Sequence, residues 1–176
     1  DSPKPLTMKS FLLKLTSSLL LCLVLISCAN GDDMEETYTS ENKTIDIENV
    51  SYTSLEKDVL DLVNNHRASL GLNELEIMNL ISSVADSHTK YMIENGKVSH
   101  DNFNERANIL MQKANAKSVG ENVAFGYTSA EDVFNGWLNS ESHKAAIEKS
   151  SYTHMGISTE CNNNGRNYYT NIFIKK

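Results

Sequence analysis

The sequence has no excess of positive charge. Its 176 residues include 16 lysines and arginines against 23 aspartates and glutamates, which gives a formal net charge of −7. Nucleic-acid binding depends on clustered cations that displace counterions, and the chain contains no basic stripe. The acidic residues are instead concentrated between positions 29 and 50. We therefore expect no nucleic-acid partner.

Cysteines are also few, and their positions exclude a disulfide framework. Of the three, Cys22 and Cys28 lie in an apolar N-terminal stretch, and Cys161 stands alone in the later part of the chain. We interpret Cys161 as a spectator loop cysteine, with a free thiol or pairing between chains as alternatives.

No apolar run approaches the roughly 20 residues that a membrane-spanning helix needs. The longest continuous run is short, from Leu19 to Ile26, and it follows Met8, Lys9 and Lys14. A short apolar run behind positive charge is typical of a signal peptide. We assign one to residues 8–27.

The apolar run ends at Ser27 and Cys28. This ending resembles a bacterial lipobox, in which the cysteine thiol is acylated and cleavage leaves it as the new N-terminus. We expect lipidation of Cys28 and a lipid-anchored location in the bacterial cell envelope, either periplasmic or surface-exposed. Ordinary signal-peptide cleavage nearby is the alternative. Residues 28–52 are acidic and poor in apolar residues, so we predict a flexible tether before a folded domain at 53–176.

Within the folded domain, apolar spacing and capping residues predict four helices. The first opens with a capping box of Thr53 and Glu56. The second is capped by Asn79 and ends at Gly96, and Ser129 caps the fourth. The four helices are predicted at about 53–71, 79–94, 104–114 and 129–137. Strands are predicted at 155–158 and 168–174, joined by a turn at 162–165. The fold class is therefore α+β.

Four stretches in this region carry a family resemblance. They are Asn65-His66-Arg67 with Gly71-Leu72, Val98-Ser99-His100, Gly120-Glu121-Asn122-Val123-Ala124-Phe125-Gly126, and Trp137 to Lys144 followed by His154-Met155-Gly156-Ile157. In this order, from about residue 55 onward, they resemble the bacterial lipoprotein branch of the CAP superfamily, named for cysteine-rich secretory, antigen-five and pathogenesis-related proteins and also called SCP domains. The resemblance implies an α-β-α sandwich with a large open cleft.

In many eukaryotic CAP proteins the cleft holds two histidines and two glutamates. Here His100, Glu121 and His143 fall on three of those positions, and Ser140 replaces the second glutamate. The resemblance thus implies a ligand-binding cleft formed by these four residues. We expect the first three to converge in one solvent-accessible site, with Ser140 nearby.

Two imidazoles and one carboxylate would make an open site for a divalent metal such as zinc. The resemblance supports His100, His143 and Glu121 as ligands, because clefts of this family can take divalent ions. The chain has no HExxH helix, so the ligands would come from three separate segments. The alternative is that each histidine holds loops together by hydrogen bonding.

The same residues also allow a hydrolase, with His100, Glu121, Ser140 and His143 as candidate catalytic groups. No G-x-S-x-G nucleophile elbow is present. We therefore favour a binding module whose cleft takes a lipid, peptide or other small ligand. A metal- or serine-dependent hydrolase acting on peptides or the cell envelope is the alternative.

The remaining histidines and the large aromatic residues have simpler interpretations. His88 lies on the apolar side of the second helix and is expected to be a satisfied core residue. His66 is placed near the end of the first helix and His154 at the start of a strand. Trp137 and Phe134 are expected in the core.

Overall fold

The computed structural model describes residues 50–176, which fold into helices and strands in the order α-β-α-α-β-α-α-β-β. The elements are α1 (Ser54–Ser69), β1 (Glu76–Ile77), α2 (Asn79–Asn95), α3 (Phe103–Ala114), β2 (Ser118–Phe125), α4 (Ala130–Leu138), α5 (Glu141–Ile147), β3 (His154–Cys161) and β4 (Asn167–Lys175).

The predicted signal peptide at 8–27, the lipidation site Cys28 and the tether up to residue 49 lie outside the described residues. At the end of the predicted tether, Tyr52 is partly buried against the core, and its hydroxyl lies 2.9 Å from Ser82 Oγ. Packing against the domain is therefore already established one residue before the predicted boundary. Between residues 50 and 176 no helix is long and apolar enough to cross a membrane.

The four strands form one sheet in the order β1-β3-β4-β2. β1 pairs with β3 in parallel, and β4 pairs antiparallel with both β3 and β2. The predicted hairpin is confirmed as β3 and β4. β2 is an eight-residue strand around Glu121 that the sequence patterns did not predict.

Helices cover both faces of this sheet, which makes the predicted sandwich. The first core cluster lies on the face covered by α1, α4 and α5, and contains Trp137 and Phe134 as expected, both almost fully buried. The second cluster joins α2 and α3 to the opposite face through residues such as Ile81, Leu110 and Ile172. Because both faces are covered, strand residues on either side of the sheet are buried.

The start of α1 follows the predicted capping box. Thr53 Oγ1 accepts a hydrogen bond from the Glu56 amide at 3.2 Å, and Glu56 Oε2 accepts from the Thr53 amide at 2.8 Å. The second carboxylate oxygen of Glu56 accepts from the Thr159 amide at 2.8 Å. One buried glutamate thus caps the helix and ties it to β3.

The predicted capping role of Asn79 is wrong. Met78 occupies the N-cap without a side-chain capping bond, and Asn79 is already the first helical residue. The Met78 amide donates to the Met155 carbonyl at 3.0 Å, so the backbone remains paired with the sheet through Met78. The helix therefore begins only at the next residue. Its end agrees with the prediction, since Gly96 takes the left-handed conformation with φ of 63°.

α2 sits directly on Gly156 of β3, where a Cβ atom would overlap the backbone nitrogen of Ser82. We expect Gly156→Ala to lower the free energy of unfolding by about 1–3 kcal/mol, because backbone on both sides must shift. Urea denaturation of the purified protein measures this difference.

Gly136→Ala is the matched control. Its Cβ would meet only the ring end of Tyr127, an exposed side chain that can rotate away. Alanine also favours the interior of α4 by up to ~1 kcal/mol. A loss of stability at Gly136 as large as that at Gly156 would contradict this account.

Candidate functional site

His100 lies in the loop between α2 and α3, which begins where Gly96 ends α2. Its side chain is 50% exposed, and its Nδ1 lies 2.8 Å from Oε1 of Glu121. These two residues, which were expected to share one site, are therefore in direct contact across 21 positions of sequence.

Glu121 is held far more tightly than its partner. Its side chain is only 1% exposed and forms a two-pronged pair with Arg106 of α3. Arg106 Nε donates to Oε2 and Nη2 to Oε1, both at 2.7 Å. The third guanidinium nitrogen donates to the Asp101 carbonyl at 2.6 Å, which fixes the guanidinium group against the loop before α3. Such bidentate pairs are strong and geometrically specific.

These contacts set the charge of Glu121. Burial by itself would raise the pKa of its carboxyl group, but the hydrogen bonds from His100 and Arg106, together with the positive charge of Arg106, outweigh burial and lower that pKa. The carboxylate is therefore ionised at neutral pH and can only accept hydrogen bonds.

His88 extends the same cluster inward. It is 2% exposed, its Nε2 lies 2.8 Å from the Ser99 carbonyl, and the same nitrogen lies 3.9 Å from Glu121 Oε1. Burial, then the nearby charge of Arg106, lowers the pKa of His88. A neutral ring donates through Nε2 to Ser99, which leaves Nδ1 without a partner among the described residues. The expected core histidine is thus buried but only half satisfied.

Asn122, next to Glu121, serves the other face of the sheet. Side chains alternate along a strand, so Glu121 faces α3 while Asn122 faces α5. Asn122 is fully buried, and its Nδ2 donates to the His143 carbonyl at 3.0 Å. Glu121 therefore bonds to the loop that carries His100 on one face of the sheet, and Asn122 bonds to the helix that carries His143 on the other face.

The far end of α5 is fixed by the end of α1. Arg67, which is fully buried, donates through Nη1 to the carbonyls of Ile147 at 2.7 Å and Lys149 at 3.1 Å. His66 Nε2 lies 2.9 Å from Glu148 Oε1. Its predicted position in the last turn of α1 is confirmed, and its role is to connect that turn to the helix that carries His143.

His143 is half-buried, and burial followed by the positive charge of His100 lowers its pKa. No direct bond between His143 and Glu121 is present among the described residues.

Ser140 has a separate position at the N-terminus of α5. Its Oγ lies 3.3 Å from Ser142 Oγ and makes no side-chain capping bond. It lines an open depression of about 570 Å³ together with Glu141, Ser142 and Ala145. Of the four predicted cleft residues, the structure brings His100 and Glu121 into contact. The charge of His100 acts on His143, and Ser140 lines a separate depression at the start of α5.

Glu121 does not fit the predicted role of a third metal ligand in this arrangement. Glu121 is already committed to Arg106 and His100 through both of its oxygens. Across residues 50–176, no group of three or more His, Cys, Asp or Glu side chains is arranged to hold a metal.

Residues 60–173 match the model of the cysteine-rich secretory protein family, CAP. The chain belongs to the CAP family. The matched range contains most of the sandwich, including β2 and the segments that carry His100 and His143.

Several bacterial proteins resemble this chain over most of its length. The uncharacterized membrane protein YlbC of Bacillus subtilis is 36% identical over 129 residues, which are 70% of this chain but only 35% of YlbC. An outer surface protein of Borrelia burgdorferi has a TM-score of 0.62 and 26% identity, covering 68% of this chain and 91% of that one. An extracellular SCP-domain protein of Bacillus anthracis has a TM-score of 0.60 and 25% identity, covering 73% and 45%.

Sequence reasoning missed three residues of the CAP domain site: Arg106, His88 as a neighbour of Glu121, and Asn122. A signal for Arg106 was present. It precedes Ile109 by three positions and Leu110 by four, and helical spacing puts all three on one face. Asn122 required the recognition of β2 as a strand.

The lowered histidine pKa values predict acid sensitivity of the CAP domain. Because folding disfavours the protonated forms of His88 and His143, their contribution to stability is complete above the unfolded pKa of about 6.5 and is lost as pH falls below it. The contribution of Glu121 to stability is lost in a lower pH range, as pH falls below its unfolded pKa of about 4.3. We expect His88→Gln to flatten the decline in unfolding free energy between about pH 7 and 5, since glutamine can donate to Ser99 without titrating.

Urea unfolding at several pH values measures this slope. Asn104→Gln, at an exposed position of α3, is the control and should leave the slope as in the unsubstituted protein. An unchanged slope in His88→Gln would show that His88 does not titrate in this range.

Proposed function

We propose that this chain is an extracytoplasmic CAP-domain protein, anchored by a lipid on Cys28, whose cleft binds a lipid, peptide or other small ligand. The observation that carries the proposal is the half-exposed imidazole of His100, held at 2.8 Å by the buried and ionised carboxylate of Glu121. The relatives of known location agree with a place outside the cytoplasm, because they include an extracellular protein and an outer surface protein.

A structural role alone accounts poorly for this arrangement. Taking a carboxylate and a guanidinium out of water is costly, and an apolar pair of similar volume is often at least as stable. Here the buried pair of Glu121 and Arg106 supports a ring that is itself half in solvent. Fixing a solvent-facing polar group is what a recognition site requires.

The contacts favour binding over serine-dependent hydrolysis. A nucleophilic serine needs a base within hydrogen-bond reach and a group that orients that base. Among the described contacts Ser140 pairs with Ser142, and Glu121 orients His100 rather than His143. The three residues do not form a chain of hydrogen bonds.

Zinc binding stays a prediction and is the second candidate. His143 could offer a neutral imidazole nitrogen, since burial and then the nearby charge of His100 lower its pKa, and His100 would be the second ligand. Two ligands are fewer than the three protein groups of a usual open zinc site, so an organic ligand is the better-supported occupant.

Native mass spectrometry of the purified full chain tests the ligand. We expect a copurifying small molecule whose occupancy falls about tenfold or more in His100→Ala and His143→Ala, because both imidazoles border the proposed cleft. His154→Ala, at the start of β3 and paired with Glu76 at 3.3 Å, is the control and should retain it. Equal occupancy in all three variants would place the ligand elsewhere.

Membrane fractionation tests the anchor. We expect Cys28→Ser to release the protein from membranes or to block its maturation, because the acylated thiol is lost. Cys22→Ser, six positions earlier in the same apolar stretch, should remain membrane-bound. An unmodified Cys28 in the intact mature protein would refute the anchor without affecting the cleft.

A further inference from the structure

Arg106 has a second consequence besides holding Glu121 in place. Three hydrogen bonds reach the two oxygens of this carboxylate: two from Arg106 at 2.7 Å and one from His100 at 2.8 Å. Both ends of the ion pair are almost completely buried, with side chains 7% and 1% exposed. The carboxylate therefore has little capacity left for another partner.

We propose that Arg106 decides the chemistry of the cleft: it withholds Glu121 from metal coordination and makes that carboxylate a positioning group for His100. For a metal to recruit Glu121, the two-pronged contact would have to open. Opening it would leave the guanidinium of Arg106 buried without its counter-charge, which is strongly unfavourable. The predicted three-ligand metal site is thus blocked by one residue.

The same contact fixes the proton on His100. An ionised carboxylate only accepts hydrogen bonds, so the nitrogen of His100 that faces Glu121, Nδ1, carries the ring proton. In the neutral ring Nε2 then holds the lone pair, on the part of the side chain that reaches solvent. Arg106 acts on this outcome through Glu121. The inference rests on the proposed function only in assuming that ligands meet the cleft at His100.

Removal of Arg106 should convert the site into a metal site. We compare zinc binding by calorimetry in the detergent-solubilised full chain, in Arg106→Met and in the double variant Arg106→Met/Glu121→Gln. The acidic segment before the domain contributes the same background to each. Arg106→Met should bind zinc about tenfold or more tightly than the unsubstituted chain, because Glu121 becomes a third ligand. The double variant should lose that gain.

A merely structural arginine would destabilise the fold when replaced and would give no gain in zinc affinity. Equal zinc affinity in the unsubstituted chain and Arg106→Met, or in Arg106→Met and the double variant, would overturn the proposal. If the buried carboxylate prevents Arg106→Met from folding, zinc should restore folding in that variant, whereas the double variant lacks that charge and should fold equally well with and without zinc.

The tautomer of His100 gives a test that needs no metal. Nitrogen-proton correlation spectra of the unsubstituted chain at neutral pH should show His100 with its proton on Nδ1. Arg106→Lys keeps the charge but cannot bind both carboxylate oxygens as the guanidinium does. Glu121 would then no longer be held against Nδ1, and His100 should give a mixture of both tautomers. A proton on Nε2 in the unsubstituted chain, or a ratio unchanged by Arg106→Lys, would contradict the inference. Neither result depends on whether a small molecule copurifies, so the proposed function fails or holds separately.

Discussion

The ion pair between Arg106 and Glu121 is the contact on which the arrangement of this site depends. A carboxylate that is 1% exposed keeps its charge only where donors and an opposite charge replace water. The guanidinium of Arg106 supplies the opposite charge and two hydrogen bonds, and His100 supplies a third hydrogen bond. The loop after α2, the start of α3 and the middle of β2 are joined at this one carboxylate, so the position of His100 follows from it.

β2 connects the Arg106–Glu121 ion pair to α5, which lies on the opposite face of the sheet. Its pairing with β4 sets the direction of each side chain, with Glu121 opposite Ile172 and Asn122 opposite Asn171. One residue therefore reaches the layer of α2 and α3, and the next reaches α5. Arg67 fixes the other end of α5 through the carbonyls of Ile147 and Lys149. A helix of only seven residues, too short to be stable alone, is held at both ends.

Much of the fold could be predicted from the sequence, because local signals there agree with the final structure. The capping box of α1, the stop at Gly96 and the hairpin of β3 and β4 each depend on a few neighbouring residues. β2 could not be recognised as a strand, because both of its faces are covered and polar side chains point into both layers. That arrangement removes the alternation of polar and apolar residues by which a strand is usually identified.

The site was only partly predictable for a related reason. The expectation that His100 and Glu121 share one site came from a family resemblance and not from any spacing in the chain. Arg106 was overlooked because a charged residue in a helix is ordinarily assigned to solvent, and its helical spacing with Ile109 and Leu110 was the signal against that assignment. β1, at two residues, is too short to leave a pattern.

The alternation along β2 also limits how this region can change in length during evolution. A strand repeats every two residues, so one inserted or deleted residue ahead of Glu121 within β2 would exchange the faces of Glu121 and Asn122. The carboxylate would then point at α5 and the amide at Arg106, and both attachments would fail together. The turn between β3 and β4 around Gly165 carries no such restriction, since its residues are largely exposed. Variation in length among related chains should therefore accumulate at that turn and be absent from β2.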